Sequence, residues 1–153
     1  MANTYSQIHI QLVFAVSSRT YLIRESWKDE LCMYMTGIIQ SYGHKVLAIN
    51  AMPDHIHVLF GMRPTQAVSE LVREIKTGSA KWINGSGFLK GRFEWQEGYG
   101  AFSYEKGSLP GIISYIAIQK EHHHIKTFME EYREMLYEFG VQFDERFLFR
   151  EPS

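Results

Sequence analysis

The run from Lys45 to Met62, KVLAINAMPDHIHVLFGM, constrains the fold more than any other part of the chain. Two apolar segments of strand length are separated only by Pro53 and Asp54, a pair that favours a tight turn, so they read as consecutive strands of one antiparallel sheet. Upstream, SQIHIQLVFAV places Ile8, Ile10, Leu12, Phe14 and Val16 at period two opposite Gln7, His9 and Gln11, which predicts a half-buried strand. Between these strands, ESWKDELCMYMTGIIQSYG spaces Trp27, Leu31, Tyr34, Ile38 and Tyr42 three or four apart and closes on Gly43, as a helix with a glycine cap does. Downstream, Thr65 is expected to cap a second helix carrying Val68, Leu71, Val72, Ile75 and Trp82, and FEWQEGYGAFSY supplies a fourth, glycine-interrupted strand.

The order strand, helix, strand, strand, helix, strand matches a ferredoxin-like βαββαβ sheet, an α+β class with both helices on one face. Ser108 and Pro110 open a third helix through GIISYIAIQKEHHH, and KTFMEEYREMLYEFG makes a fourth ending at Gly140. No repeat or linker divides the chain, which predicts a single domain over 1–153 with a peripheral tail from about 141. At 153 residues there is enough chain for one well-packed core. One cysteine, Cys32, leaves no disulfide, and neither a secretory leader nor a membrane-length apolar run is visible; a soluble, cytoplasmic protein is expected.

Net charge is −1, but it is unevenly spread. The stretch 61–92 carries an excess of four positive charges and the stretch 120–153 an excess of three negative ones. Within the basic stretch Lys76, Lys81 and Arg92 are candidate phosphate contacts, although solvated helix faces produce the same pattern. No P-loop, Gly-x-Ser-x-Gly, Cys-x-x-Cys or Gly-x-Gly-x-x-Gly element is present, so no nucleotide cofactor is expected.

Two histidines interrupt the apolar strand HIHVLF. Alternation puts His55 and His57 on one face and Ile56 and Val58 on the other, and about 6 to 7 Å of strand rise lets both rings reach one ion. An isolated His-x-His also occurs on solvent-facing sheets, and on that reading both rings are exposed. In SYIAIQKEHH, Tyr115 and Gln119 lie four apart and stack on one helix face. A phenol beside a neutral oxygen ligand suits metal-assisted phosphoryl transfer if this helix faces the histidines; a core aromatic is the alternative. His122, His123 and His124 diverge by about 100° per residue and cannot share an ion. Trp82, Phe93, Trp95 and Tyr99 could stack on unpaired bases, but fit a core better.

PDHIHVLF resembles the histidine, hydrophobic, histidine motif of the HUH endonucleases. With FEWQEGYGAFSY and SYIAIQKEHH following it, the chain is similar to the small single-tyrosine transposases, which move insertion sequences as single-stranded DNA with hairpin ends. The resemblance implies a transposase and DNA endonuclease with Tyr115 as nucleophile and with His55, His57 and Gln119 as ligands of a divalent ion, Mg²⁺ or Mn²⁺. It further implies a covalent 5′-phosphotyrosine intermediate and hairpin-ended single-stranded DNA as partner. The tyrosine follows the histidines, unlike in conjugative relaxases, and Ile118-Gln119 stands where palindrome-associated transposases tend to have Asn-Pro. The competing reading is a ferredoxin-like nucleic-acid-binding module without catalysis. Family members of this type are dimers, so a homodimer is expected, with Gly107 and Gly111 as a hinge that hands the Tyr115 helix to the partner and with the first strand as a sheet edge needing cover.

Overall fold

The computed structural model describes residues 4–118, 127–144 and 148. Its elements are β1 (His9–Ala15), α1 (Lys28–Ser41), β2 (Lys45–Met52), β3 (His55–Gly61), α2 (Val68–Gly85), β4 (Gly100–Ser103), α3 (Leu109–Ala117) and α4 (Phe128–Glu138). The strands form one sheet in the order β2-β3-β1-β4 with every pairing antiparallel, the ferredoxin-like arrangement. Pro53 and Asp54 turn the chain between β2 and β3, and Met52 pairs with His55 across that turn.

β1 is not an edge. It is hydrogen-bonded to β3 on one side and β4 on the other, so β2 and β4 are the outer strands. Nor is it half-buried. Leu12, Phe14 and Val16 enter a first core with Leu31, Met35 and Ile39 of α1 and Leu71, Val72 and Ile75 of α2. Val13 and Ala15, on the opposite side, enter a second core with Phe102 of β4 and Phe128, Met129, Tyr132, Met135 and Leu136 of α4. The two helices of the ferredoxin-like unit do share one face; α3 and α4 cover the other. Each large apolar side chain that α4 buries contributes roughly 1.5–3 kcal/mol, which is what keeps this helix on the sheet. Beyond α4, Phe143 and Leu148 also pack against the second core.

Local departures from the sequence pattern have physical causes. In α1 the inner stripe is Leu31, Met35 and Ile39, one position round from the expected Tyr34 and Ile38. The reason is α2 alongside it, where Tyr34 stacks on Trp82 with centroids 5.1 Å apart. Thr65 does not cap α2; Ala67 holds the cap position without a side-chain hydrogen bond. The fourth strand shortens to four residues, and Trp95 makes only an isolated bridge with Val16. Gly100 begins that strand because a Cβ there would lie 2.7 Å from the Tyr132 ring, so only glycine lets α4 approach β4 this closely. Gly43 holds φ +88, the left-handed cap expected of it. Gly107 and Gly111 adopt no positive φ. Among the described residues no helix is long and apolar enough to cross a membrane.

Candidate active site

His55 and His57 project from β3 onto the α3/α4 face, as alternation requires, but they are buried rather than exposed, at 1% and 0% of their surface. The helices that cover this face account for the difference. Phe128 of α4 stacks on His55 with centroids 4.2 Å apart, and Tyr115 of α3 meets the His57 ring edge-on at 6.1 Å.

Each imidazole is held by its Nδ1. His55 Nδ1 donates to Asp54 Oδ1 at 2.6 Å, and His57 Nδ1 donates to Gln11 Oε1 at 2.8 Å. Gln11 Nε2 in turn donates to the Tyr104 hydroxyl at 2.8 Å. Carboxylate and amide oxygens accept, so each ring carries a proton on Nδ1, and in the neutral imidazole Nε2 then presents a lone pair. The Tyr104 hydroxyl is pushed up to about 12, first by burial, with the Gln11 hydrogen bond opposing and the Glu138 charge adding. It therefore stays protonated and keeps the relay intact.

His57 Nε2 lies 3.0 Å from Glu131 Oε1 of α4, a carboxylate only 4% exposed. One ligand atom each from His55, His57 and Glu131 fall within 4.8 Å of one another. A lone pair and a carboxylate oxygen this close in a buried site repel unless a positive charge lies with them. A divalent ion fits: two imidazole nitrogens steered by their outer hydrogen bonds, plus one carboxylate, form a donor set that Mn²⁺ accepts readily and Mg²⁺ less so.

Tyr115 borders the same site. With Gln11, Tyr104, Ile112, Glu131, Glu134 and others it lines a cavity of about 240 Å³. α3 starts at Leu109 with Pro110 in its first turn, where a missing N–H costs nothing. Its end is tethered by Asn50 of β2, whose Nδ2 donates to Ile116 O at 2.9 Å, one residue from Tyr115. Asn50 is the register partner of His57, so one row of the hairpin carries both a candidate ligand and the anchor of the tyrosine helix. Tyr115 and the histidines meet within one chain.

Gln119 and the histidines 122–124 lie outside the described residues. Lys76 is not a free phosphate contact: its Nζ donates to Gln96 O at 2.8 Å and Gly98 O at 2.7 Å and sits 5.6 Å over the Phe14 ring. Burial lowers its ammonium to about 8, the Glu97 charge opposing. It belongs to the α1/α2 face, away from the histidines. Lys81 and Arg92 are exposed, and Arg92 Nε lies 3.4 Å from Glu94. Phe93 is fully buried, and Trp82, Trp95 and Tyr99 pack against the first core.

Glu131, Gln11, Asn50 and Asp54 escaped the sequence reading. For Glu131 a signal existed, since it occupies the inward stripe formed by Phe128, Tyr132 and Met135. A carboxylate there needs a partner. Gln11 was read as solvent-facing because nothing local announces that α4 covers β1.

Residues 4–119 match the family model described as "Transposase IS200 like". The chain is 29% identical over 75 residues to the ISDra2 transposase TnpA of Deinococcus radiodurans, covering 49% of this chain and 54% of that protein. It thus spans about half the length of that curated relative. Among solved structures, a Deinococcus radiodurans protein described as a transposase superposes with a TM-score of 0.64 at 22% identity, over 78% of this chain and 95% of that one. A REP-associated tyrosine transposase bound to a REP hairpin superposes with a TM-score of 0.59 at 16% identity, over 80% and 73%. These two share the fold. The family match takes in the whole sheet, both histidines and Tyr115, and the chain belongs to the IS200-like transposase family.

Proposed function

We propose that this chain cleaves and rejoins single-stranded DNA in transposition, with Tyr115 as the nucleophile and hairpin-forming ends as the substrate. The observation that carries the reading is the edge-on contact of the Tyr115 ring with His57, beside a cavity that Tyr115 and Glu131 line together. The Tyr115 oxygen attacks a backbone phosphorus while the bond to the 3′ oxygen breaks. The 3′ oxygen leaves as a hydroxyl, and the DNA stays joined to the protein through a 5′-phosphotyrosine. Because a phenol has a pKa of about 10, the aryl ester retains enough energy for a 3′-hydroxyl to reverse the reaction without ATP. Glu134, which lines the same cavity, is the proposed acceptor of the phenol proton.

His55, His57 and Glu131 would hold the divalent ion, Mg²⁺ or Mn²⁺, joined by Gln119 if the family pattern applies. When bound, the ion supplies positive charge to a non-bridging phosphate oxygen. Asp54 and Gln11 fix the imidazoles so that their lone pairs face inward. The hairpin carried by the REP-associated neighbour supports a hairpin substrate here, and a homodimer remains part of the reading. The test incubates the protein with a stem-loop oligonucleotide and single-stranded flanks, with Mn²⁺ or Mg²⁺ added. A covalent adduct lost in Tyr115→Phe is expected. Hairpin binding without an adduct under either ion would make the chain a binding module instead.

A further inference from the structure

We propose that a second pocket, at the far end of the sheet from Asp54, takes a DNA backbone phosphate that is not the scissile one; this rests on the DNA-processing reading above. The pocket is about 790 Å³ and lined by His9, Lys45, Gly61, Arg63, Thr65 and the segment before β1, with no carboxylate among its lining residues. Three basic side chains therefore line one space with no carboxylate among the described lining residues.

The strand register builds the pocket. His9 and Lys45 are both paired with Gly61, one from each side, so the three form a row across β1, β3 and β2. Directly opposed residues share a sheet face, and Gly61 contributes no side chain between the two bases. The gap is real: a Cβ on Gly61 would find only His9 Cδ2 and Lys45 O, each at 3.9 Å. His9 Nδ1 is buried with no hydrogen-bond partner among the described residues.

Arg63 is positioned rather than loose. Its backbone N donates to His44 Nδ1 at 3.0 Å, and His44, itself buried, is fixed through Nε2 by Gln66 Oε1 at 2.8 Å. The Arg63 side chain lies across Gly43, where a Cβ would come within 2.8 Å of both Cδ and Nη1. Among the described residues neither Lys45 nor Arg63 forms an ion pair. A preset guanidinium, an ammonium and an imidazole around an empty row suit a phosphodiester, which accepts hydrogen bonds from all three. By alternation Gly61 faces the same side as His57, four residues and about 13 Å away along β3, with the Leu59 packing of α3 between them. One DNA strand can therefore touch both places at different phosphates.

The test measures affinity of Tyr115→Phe protein for a stem-loop oligonucleotide by fluorescence anisotropy across a salt series. Adding Arg63→Ala or Lys45→Ala should each reduce the slope of log affinity against log salt by about one. Gly61→Val, which fills the row and removes no charge, should weaken binding several-fold. Lys90→Ala, outside the pocket, should leave the slope as it was. Unchanged slopes in the pocket variants, or an equal loss in Lys90→Ala, would overturn the proposal while the hairpin reading stands. Absence of any DNA binding would overturn both. Inorganic phosphate shifting the His9 NMR signals, with DNA slopes unaltered, would make the ligand a free phosphate and overturn the DNA assignment.

Discussion

Gln11→Met should damage metal binding far more than folding. Methionine has nearly the volume of glutamine, so the buried space stays filled, but both hydrogen bonds of the relay between Tyr104 and His57 are lost. A buried donor left without a partner costs about 1–3 kcal/mol. His57 has an escape, because its proton can move to Nε2, where Glu131 Oε1 waits at 3.0 Å. The stability loss should then fall near the low end, about 1 kcal/mol or a Tm decrease of roughly 2–4 °C. That escape occupies the lone pair an ion needs. Loss of such an outer partner lowers metal affinity by roughly 10–100-fold. Thermal melting without metal, and Mn²⁺ titration followed by electron paramagnetic resonance, measure the two effects separately. Mn²⁺ affinity within about threefold of the unsubstituted protein would refute the claim that Gln11 sets the His57 tautomer.

Tyr115→Phe should abolish the covalent adduct and leave hairpin affinity nearly unchanged in a gel-shift assay, since only one oxygen is removed. Asn50→Leu frees the end of α3 from β2, so single-turnover cleavage should slow about tenfold or more, as misplacement of a reacting group by an ångström does, while Mn²⁺ affinity holds; an unchanged rate would remove Asn50 from the positioning of Tyr115. Mn²⁺ at a hundred times its Kd should add about 2.7 kcal/mol, a Tm rise of roughly 5–10 °C, and Glu131→Gln should erase most of that rise in a melting experiment. At high pH the protein should weaken. Burial holds the Tyr104 and Tyr132 phenols at about 12 against an ordinary 10.0, so the unfolded chain releases protons first and stability is lost as pH climbs from 10 to 12. Lys76, lowered by burial to about 8 against 10.5, acts in the opposite sense between those values, so the denaturation midpoint should fall most clearly above pH 10.5; a flat midpoint there would contradict the burial of the two phenols.

What could be read from the sequence was whatever local chemistry determines. The β2–β3 hairpin was legible because Pro53-Asp54 allows little else, and the pairing of Met52 with His55 follows from it. That His55 and His57 share a face is a consequence of strand geometry alone. Their burial is not, because it depends on α4, which returns to the sheet some seventy residues later and brings Phe128 and Glu131 with it. The same return buries both faces of β1 from Gln11 to Ala15. The central place of β1 depends on β4, a four-residue strand with glycine at its start that carries almost no periodic signal. Lys76 looked like a surface charge because its position on α2 does not reveal that the loop carrying Gln96 and Gly98 folds back over it.

The arrangement of carboxylates around Tyr115 bears on the order of events. Glu131, Glu134 and Glu138 line the tyrosine cavity together, spaced three and four apart along one side of α4. A DNA phosphate entering such a space meets the buried Glu131 with little water to screen it, while Glu134 and Glu138 are exposed to solvent. On the proposed reading the buried Glu131 beside Tyr115 opposes an incoming phosphate unless something inverts the local field. His55, His57 and Glu131 would hold a divalent ion that could do so, since its charge would exceed that of the one carboxylate among them. The two histidines bring no charge of their own when their lone pairs face the ion, so its charge is not spent on its ligands. On the proposed reading the metal would be a condition for the scissile phosphate to enter, whereas the proposed phosphate pocket around Arg63 and Lys45, with no carboxylate among its lining residues, would hold DNA with or without it. The two proposals together would separate anchoring from cutting along one face of the sheet, the first set by fixed positive charge and the second by charge that arrives with the ion.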